Sequence, residues 1–116
     1  MIYYVPRSMK PDSSALDRLG KFSEPALLVL ASLSAKTKHG YAIIQDVELY
    51  TGKRLGPGTL YGAIARLEKL QFIQPLEMED RGRRPYHITP AGRRALQDHL
   101  RSLQAYHNLL ESLASR

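Results

Sequence analysis

The chain has 116 residues, with 17 Lys and Arg against 11 Asp and Glu, so its formal net charge is +6 and its pI is near 9.8. That length suits one domain, and 43% hydrophobic with 24% charged residues is the ordinary composition of a water-soluble fold. The lack of Cys excludes disulfides, thiolate metal sites and Cys nucleophiles. The longest apolar stretch, Pro25 to Ala31, falls far short of a membrane span and comes too late for a secretory signal. A cytoplasmic protein with no membrane partner is expected.

Residues 1–22 form an N-terminal extension with no clear period, in which Met9 is an alternative start. Ser13 to Leu19 reads as a short helix with Ser13 or Ser14 as cap. Ser23-Glu24-Pro25 opens the next helix: Ser suits the N-cap, Glu the positive end of the helix dipole and Pro the first turn. Ala26 to Leu33 follows with almost no polar break, as in a central helix. A buried strand is the rival reading, but Ala and Leu favour helix. Lys36 to Gly40 is a polar break. In the helix after it Ile43, Val47 and Tyr50 share a stripe, widened by Tyr41 and Ile44, and Thr51-Gly52 ends it. Pro57 marks the first turn of a helix that should run to Gln71, with Leu60, Ala63, Ile64, Leu67 and Leu70 on one side. Its far side holds Gly58, Gly62, Ala65 and Lys69, flanked by Tyr61 and Arg66.

Phe72 to Glu79 and Arg83 to Ile88 read as two short strands joined through Asp80-Arg81-Gly82 into a hairpin. Pro75 and Pro85 cannot donate to a ladder, so the hairpin should be short and edge-like. Thr89-Pro90 caps a last helix of about 25 residues. Its apolar stripe is Leu96, Leu100, Leu103, Tyr106, Leu109, Leu110 and Leu113.

The order helix, helix, helix, strand, strand, long helix predicts a mainly α fold with a small β-hairpin (α+β). Read this way, the order is that of a winged helix-turn-helix followed by a long C-terminal helix. The expected organisation is an extension over 1–22, a winged helix domain over 23–90 and the dimerisation helix over 91–116. The charge follows this plan. From Gly52 to Arg94, nine basic residues face four acidic ones, which places +5 of the +6 in that segment. A solvated face is the plain explanation of any one charge run, but these residues fall in three elements.

Double-stranded DNA is the partner that such an arrangement fits. A recognition helix enters the major groove by its N-terminal end, and the hairpin grips the backbone or an adjacent minor groove. Gly62 inside a helix costs roughly 1 kcal/mol relative to Ala, so it needs a reason. With Gly58 and Ala65 it makes the outward face low enough for close approach to a duplex; the alternative is contact with another helix of the fold. Thr59, Tyr61, Arg66 and Lys69 border that face, and free N–H groups near Pro57-Gly58-Thr59 form an anion site. In the wing, Arg81, Arg83 and Arg84 surround Gly82 and suit phosphate forks and narrow minor grooves. The candidate DNA-binding set is therefore Tyr41, Pro57, Gly58, Thr59, Tyr61, Gly62, Arg66, Lys69, Arg81, Arg83 and Arg84.

Three runs in order carry a family resemblance. They are Gly40-Tyr41-Ala42-Ile43; Gly56 to Tyr61 leading into Arg66-Leu67-Glu68-Lys69-Leu70; and Arg83 to Gly92. Together, over roughly residues 23–95, they resemble the PadR family of transcriptional regulators. The resemblance implies a winged helix-turn-helix, a homodimer paired through the C-terminal helix, and repression of transcription. The length after the wing resembles the short form of the family with a single C-terminal helix. The resemblance also implies a small aromatic or drug-like effector near the dimer interface, for which no residue is assigned. The departure is Gln71, where the pattern usually has Gly before Phe72-Ile73.

Leu96, Leu100, Leu103 and Leu110 recur at heptad-like spacing. With Tyr106 and Leu113 they form the candidate dimer interface, the alternative being a fold-back on the chain's own domain. No cofactor or metal is expected: His99 and His107 lie too far apart for one helical face, and no carboxylate pair joins them. No nucleophile motif or nucleotide-binding loop supports an enzyme. The alternative function is a winged-helix protein-interaction module without operator binding, whose docking face should be apolar rather than basic.

Overall fold

The computed structural model describes residues 13–116; the alternative start at Met9 lies outside the described residues. A short helix α1 (Ser13–Asp17) and a 3₁₀ turn (Gly20–Phe22) lead into α2 (Ser23–Ala35). The two-residue strand β1 (Lys38–His39), α3 (Gly40–Thr51) and α4 (Pro57–Lys69) follow. The wing consists of β2 (Ile73–Pro75), a 3₁₀ turn (Asp80–Gly82) and β3 (Pro85–Ile88), and α5 (Pro90–Ala114) ends the chain. The expected α+β winged helix-turn-helix with a long last helix is the fold observed.

Helix α2 is the centre, as its unbroken apolar run predicts. Ala26, Val29, Leu30 and Leu33 are buried, and α2 packs against α1, α3, α4, α5 and β3. Its start differs from the expectation. Ser23 is not the N-cap: Phe22 holds that position with no side-chain bond. The Ser23 hydroxyl instead donates to the Leu16 carbonyl at 2.7 Å, which ties α1 to the head of α2.

The expected polar break at Lys36 to Gly40 contains β1. The sheet order is β1-β3-β2, all antiparallel, with Lys38 opposite Tyr86 and Gln74 opposite His87. Strand β3 is thus central, not edge-like. Pro85 fits there because its carbonyl is what the ladder uses, accepting from the Leu76 N–H at 2.8 Å. The paired strands are shorter than expected, because Asp80–Gly82 turns as a 3₁₀ element with Arg81 at φ 68° and Gly82 at φ 71°.

Lys38 is buried, with its ammonium bound by the Ser32 carbonyl at 2.9 Å, the Ser32 hydroxyl at 3.1 Å and the Asp46 carboxylate at 2.9 Å. The Ser32 hydroxyl also donates to Asp46 at 2.6 Å. This network joins α2, β1 and α3, and so fixes the helix-turn-helix against the sheet. Next to it, His39 caps α3, its Nδ1 accepting from the Ala42 N–H at 3.3 Å.

Of the α3 stripe, Ile43, Ile44 and Val47 are buried, but Tyr50 is 83% exposed. It stands at the rim of an open hollow between α2 and α3 lined by Leu28, Ala31 and Ala35. Gly52 closes α3 at φ 75°, as expected. Helix α4 starts at Pro57 but ends at Lys69, before Gln71. The Phe72 N–H bonds the Leu67 carbonyl and the Gln71 N–H bonds the Glu68 carbonyl, both at 2.9 Å. These are the paired bonds of a Schellman cap, with Gln71 at φ 62° in the left-handed position that favours Gly.

Thr89 caps α5 as expected, its hydroxyl accepting from the Gly92 N–H at 3.0 Å and donating to the Gln71 carbonyl at 2.7 Å. A Cβ at Gly92 would overlap the Phe72 carbonyl oxygen, so a side chain there would push α5 off the end of α4. Leu96 does not belong to an outward seam. It is 5% exposed, packed within the chain where α5 still lies against α1 and α2. Leu100, Leu103, Tyr106, Leu110 and Leu113, beyond that contact, are 43–49% exposed.

Candidate nucleic-acid interface

Helix α4 presents its first turn to solvent. Gly56 is its extended N-cap and Pro57 its first residue. Leu60 closes the first bond to the Gly56 carbonyl at 2.9 Å, which leaves the Gly58 and Thr59 N–H groups without a helical acceptor. A Cβ at Gly58 would meet nothing within 4 Å, so that part of the face is open as expected. Thr59, Ala65 and Lys69 are exposed. Lys69 closes the helix, about 15 Å along the axis from Thr59 at 1.5 Å per residue.

Tyr61 leans toward α3 and the wing. A Cβ on Gly40 would lie 2.6 Å from the Tyr61 hydroxyl, so glycine at the head of α3 makes room for that ring. Tyr41, Tyr61, His39 and Gly40 then line one hollow with Gly82, Arg83, Arg84 and Tyr86 of the wing, about 400 Å³ in volume. The hollow brings Tyr41, Tyr61, Arg83 and Arg84 together. Tyr41 and Tyr61 are half-exposed, and Tyr86 is buried, which raises its phenol pKa through desolvation first and then the nearby Glu68. Arg84 is tethered, its guanidinium donating to the Leu76 carbonyl at 2.7 Å across the hairpin. Arg81 and Arg83 are exposed.

Arg54 joins this surface although its position between two helices gave no periodic signal. Its guanidinium carbon lies 5.8 Å from the centre of the Tyr41 ring and one N–H bonds Glu48 at 3.1 Å. Its pKa is raised by the Tyr41 hydroxyl first and by Glu48 second.

Gly62 requires a correction. A Cβ there would overlap Cε1 of Phe22, so the glycine seats a ring of the fold itself rather than opening the helix to a duplex. The Arg66 guanidinium covers the same ring at 3.8 Å from its centre and donates to the Gly62 carbonyl at 3.0 Å. Gly58 and Ala65 are what remains of the low face. Only a partner for Gly62 from outside the helix-turn-helix could have shown this, and Phe22 sits in the extension that lacks a period.

Residues 29–98, more than half of the chain, match the transcriptional regulator PadR-like family. The chain belongs to the PadR-like family. That family consists of transcriptional regulators, not enzymes, and DNA binding is the activity associated with it. Two curated relatives match this PadR-like chain. One is an uncharacterised 37.1 kDa protein of a Streptomyces fradiae transposon, 47% identical over 81 residues, which are 70% of this chain and 23% of that protein. The other is a transcriptional regulator of Mycobacterium tuberculosis, 40% identical over 68 residues, 57% of this chain and 63% of the relative. The chain therefore spans less than two thirds of either relative. Among solved structures, a PadR family transcription regulator from Clostridium difficile superposes with a TM-score of 0.67. It is 23% identical, covering 78% of this chain and 97% of its own, a likeness that shows the PadR-like fold. No helix among the described residues is long and apolar enough to cross a membrane.

Proposed function

We propose that this PadR-like chain is a homodimeric, sequence-specific repressor that binds double-stranded DNA through α4 and the wing. The observation that carries the reading is the hollow that residues of α3, α4 and the wing line together. Tyr41 and Tyr61 line it together with Arg83 and Arg84 of the wing, and Tyr61 lies just past the open first turn of α4 with Pro57, Gly58 and Thr59. Tyr and Thr hydroxyls and Arg forks serve phosphate and base-edge contacts, and Lys69 at the end of α4 and Arg81 in the wing turn add exposed cations. A protein-docking face would be expected to lack the Arg83 and Arg84 guanidinia that line this hollow.

Dimerisation through α5 is supported by the five large apolar side chains that stand half-exposed beyond Leu96. A two-fold pair of recognition helices would read half-sites about one helical turn apart. Repression and release by a small aromatic effector rest on the family resemblance. Selecting bound fragments from the host genome tests the reading. The expected outcome is a recovered motif of two inverted half-sites next to a promoter; fragments without shared sequence would defeat it.

A further inference from the structure

The N-terminal extension reaches the DNA-facing helix through Phe22. Its ring sits where Gly62 lacks a Cβ, and Arg66 lies stacked over it at 3.8 Å. Lys21, the residue before it in the same 3₁₀ turn, places its ammonium 5.4 Å from the centre of that ring. Both cations are exposed. Among the described residues neither has an acidic partner within ion-pair distance.

We propose that Lys21 and Arg66, gathered on Phe22, form a second phosphate clamp for duplex DNA on the flank of α4 away from the wing. The inference rests on the reading of α4 as the DNA-facing helix. Three features support it. The guanidinium is fixed from two sides, by the ring below it and by its bond to the Gly62 carbonyl at 3.0 Å. That bond takes one of five N–H donors, so a fork remains for an incoming phosphate. With Lys21 at 5.4 Å and Arg66 at 3.8 Å from one ring centre, the two cations lie no more than about 9 Å apart, within reach of a single backbone phosphate and its neighbour. The placement complements the wing. Tyr61, which lines the wing-side hollow, stands five residues before Arg66, about 140° around the helix. The duplex backbone would then be held on both flanks of α4, with Phe22 the positioning residue for the second.

Fluorescence anisotropy of a labelled operator duplex, titrated over about 50 to 200 mM salt, tests the clamp. Lys21→Ala and Arg66→Ala should each weaken binding to every duplex alike and lower the salt slope by about 1. Phe22→Leu should weaken binding about two- to fivefold, the size of an exposed cation–ring contact, while Phe22→Tyr restores it. In a background lacking both cations Phe22→Leu should cost nothing further. Equal loss in both backgrounds would mean that Phe22 acts through the fold alone, and an unchanged slope in Arg66→Ala and Lys21→Ala would remove the clamp. If Phe22→Leu does not fold, the two surface variants decide. Arg83→Ala is the control. A lowered slope there, with none at Arg66 or Lys21, overturns the clamp and keeps the DNA reading; wild-type protein without salt-dependent binding overturns both.

Discussion

Replacing Asp46 by Leu should cost more than replacing Lys38 by Met, although the two residues form one ion pair. The Lys38 side chain is 8% exposed and that of Asp46 is 27% exposed. Losing Asp46 leaves a buried ammonium with only the two Ser32 oxygens. Breaking a buried pair costs about 3–5 kcal/mol, and the remaining bonds put Asp46→Leu near the lower end. Losing Lys38 leaves a carboxylate that water reaches and that Ser32 still bonds. Lys38→Met should then cost about 1.5–2 kcal/mol, roughly one hydrogen bond to a charged group. The double variant should recover most of the loss, because an apolar pair of similar volume strands no charge. Urea unfolding at pH 7 and fixed protein concentration reads this as shifts of midpoint at constant slope. A costlier Lys38→Met, or a double variant equal to the sum of the singles, would refute the reasoning. The pH dependence has a definite sign. The Ser32 hydroxyl first and Lys38 second hold the Asp46 pKa below its ordinary 3.8. Its contribution is therefore complete above about pH 5 and fades as pH falls toward and through the lower folded value.

Gln71→Gly should raise the unfolding temperature. The left-handed backbone at φ 62° costs a side-chain-bearing residue about 1–2 kcal/mol, of which the flexibility of Gly returns about 0.5–1 kcal/mol; a lowered temperature would show that the Gln side chain matters there. Gly62→Ala should destabilise the protein by about 1–3 kcal/mol by displacing Phe22. Unchanged stability with lost operator binding would instead revive the reading of an open helix face. Leu103→Glu with Leu110→Glu should give folded monomers in sedimentation, whereas Leu96→Ala should lower stability by about 2–5 kcal/mol as a core truncation. A dimer that survives the first pair moves the interface elsewhere.

Much of this molecule is legible in its residues because its helices obey their local rules. Pro57 at the start of α4, Gly52 at the end of α3 and Thr89 before α5 each solve a terminus in the usual way. The failures come from contacts that cross the sequence. Strand β1 has two residues and so no period, and its Lys reads as surface until Ser32 and Asp46 are seen around it. Ser23 has the chemistry of a cap, but the Leu16 carbonyl takes its hydroxyl. Leu96 shares the stripe of Leu100 and Leu103, and only the point where α5 leaves α1 and α2 separates core from exposed surface. At the candidate interface, the chain order joins α4 to the wing, so Tyr61, Arg83 and Arg84 are foreseeable. The link from Phe22 to Gly62 spans forty residues and is not.

The salt dependence of operator binding tests the central claim most directly. If the α4–wing face holds the duplex, the logarithm of affinity should fall linearly with that of salt. Arg83→Ala should lower the slope by about 1 and weaken all duplexes alike. Binding indifferent to salt, or a slope that Arg83→Ala leaves unchanged, would contradict the account.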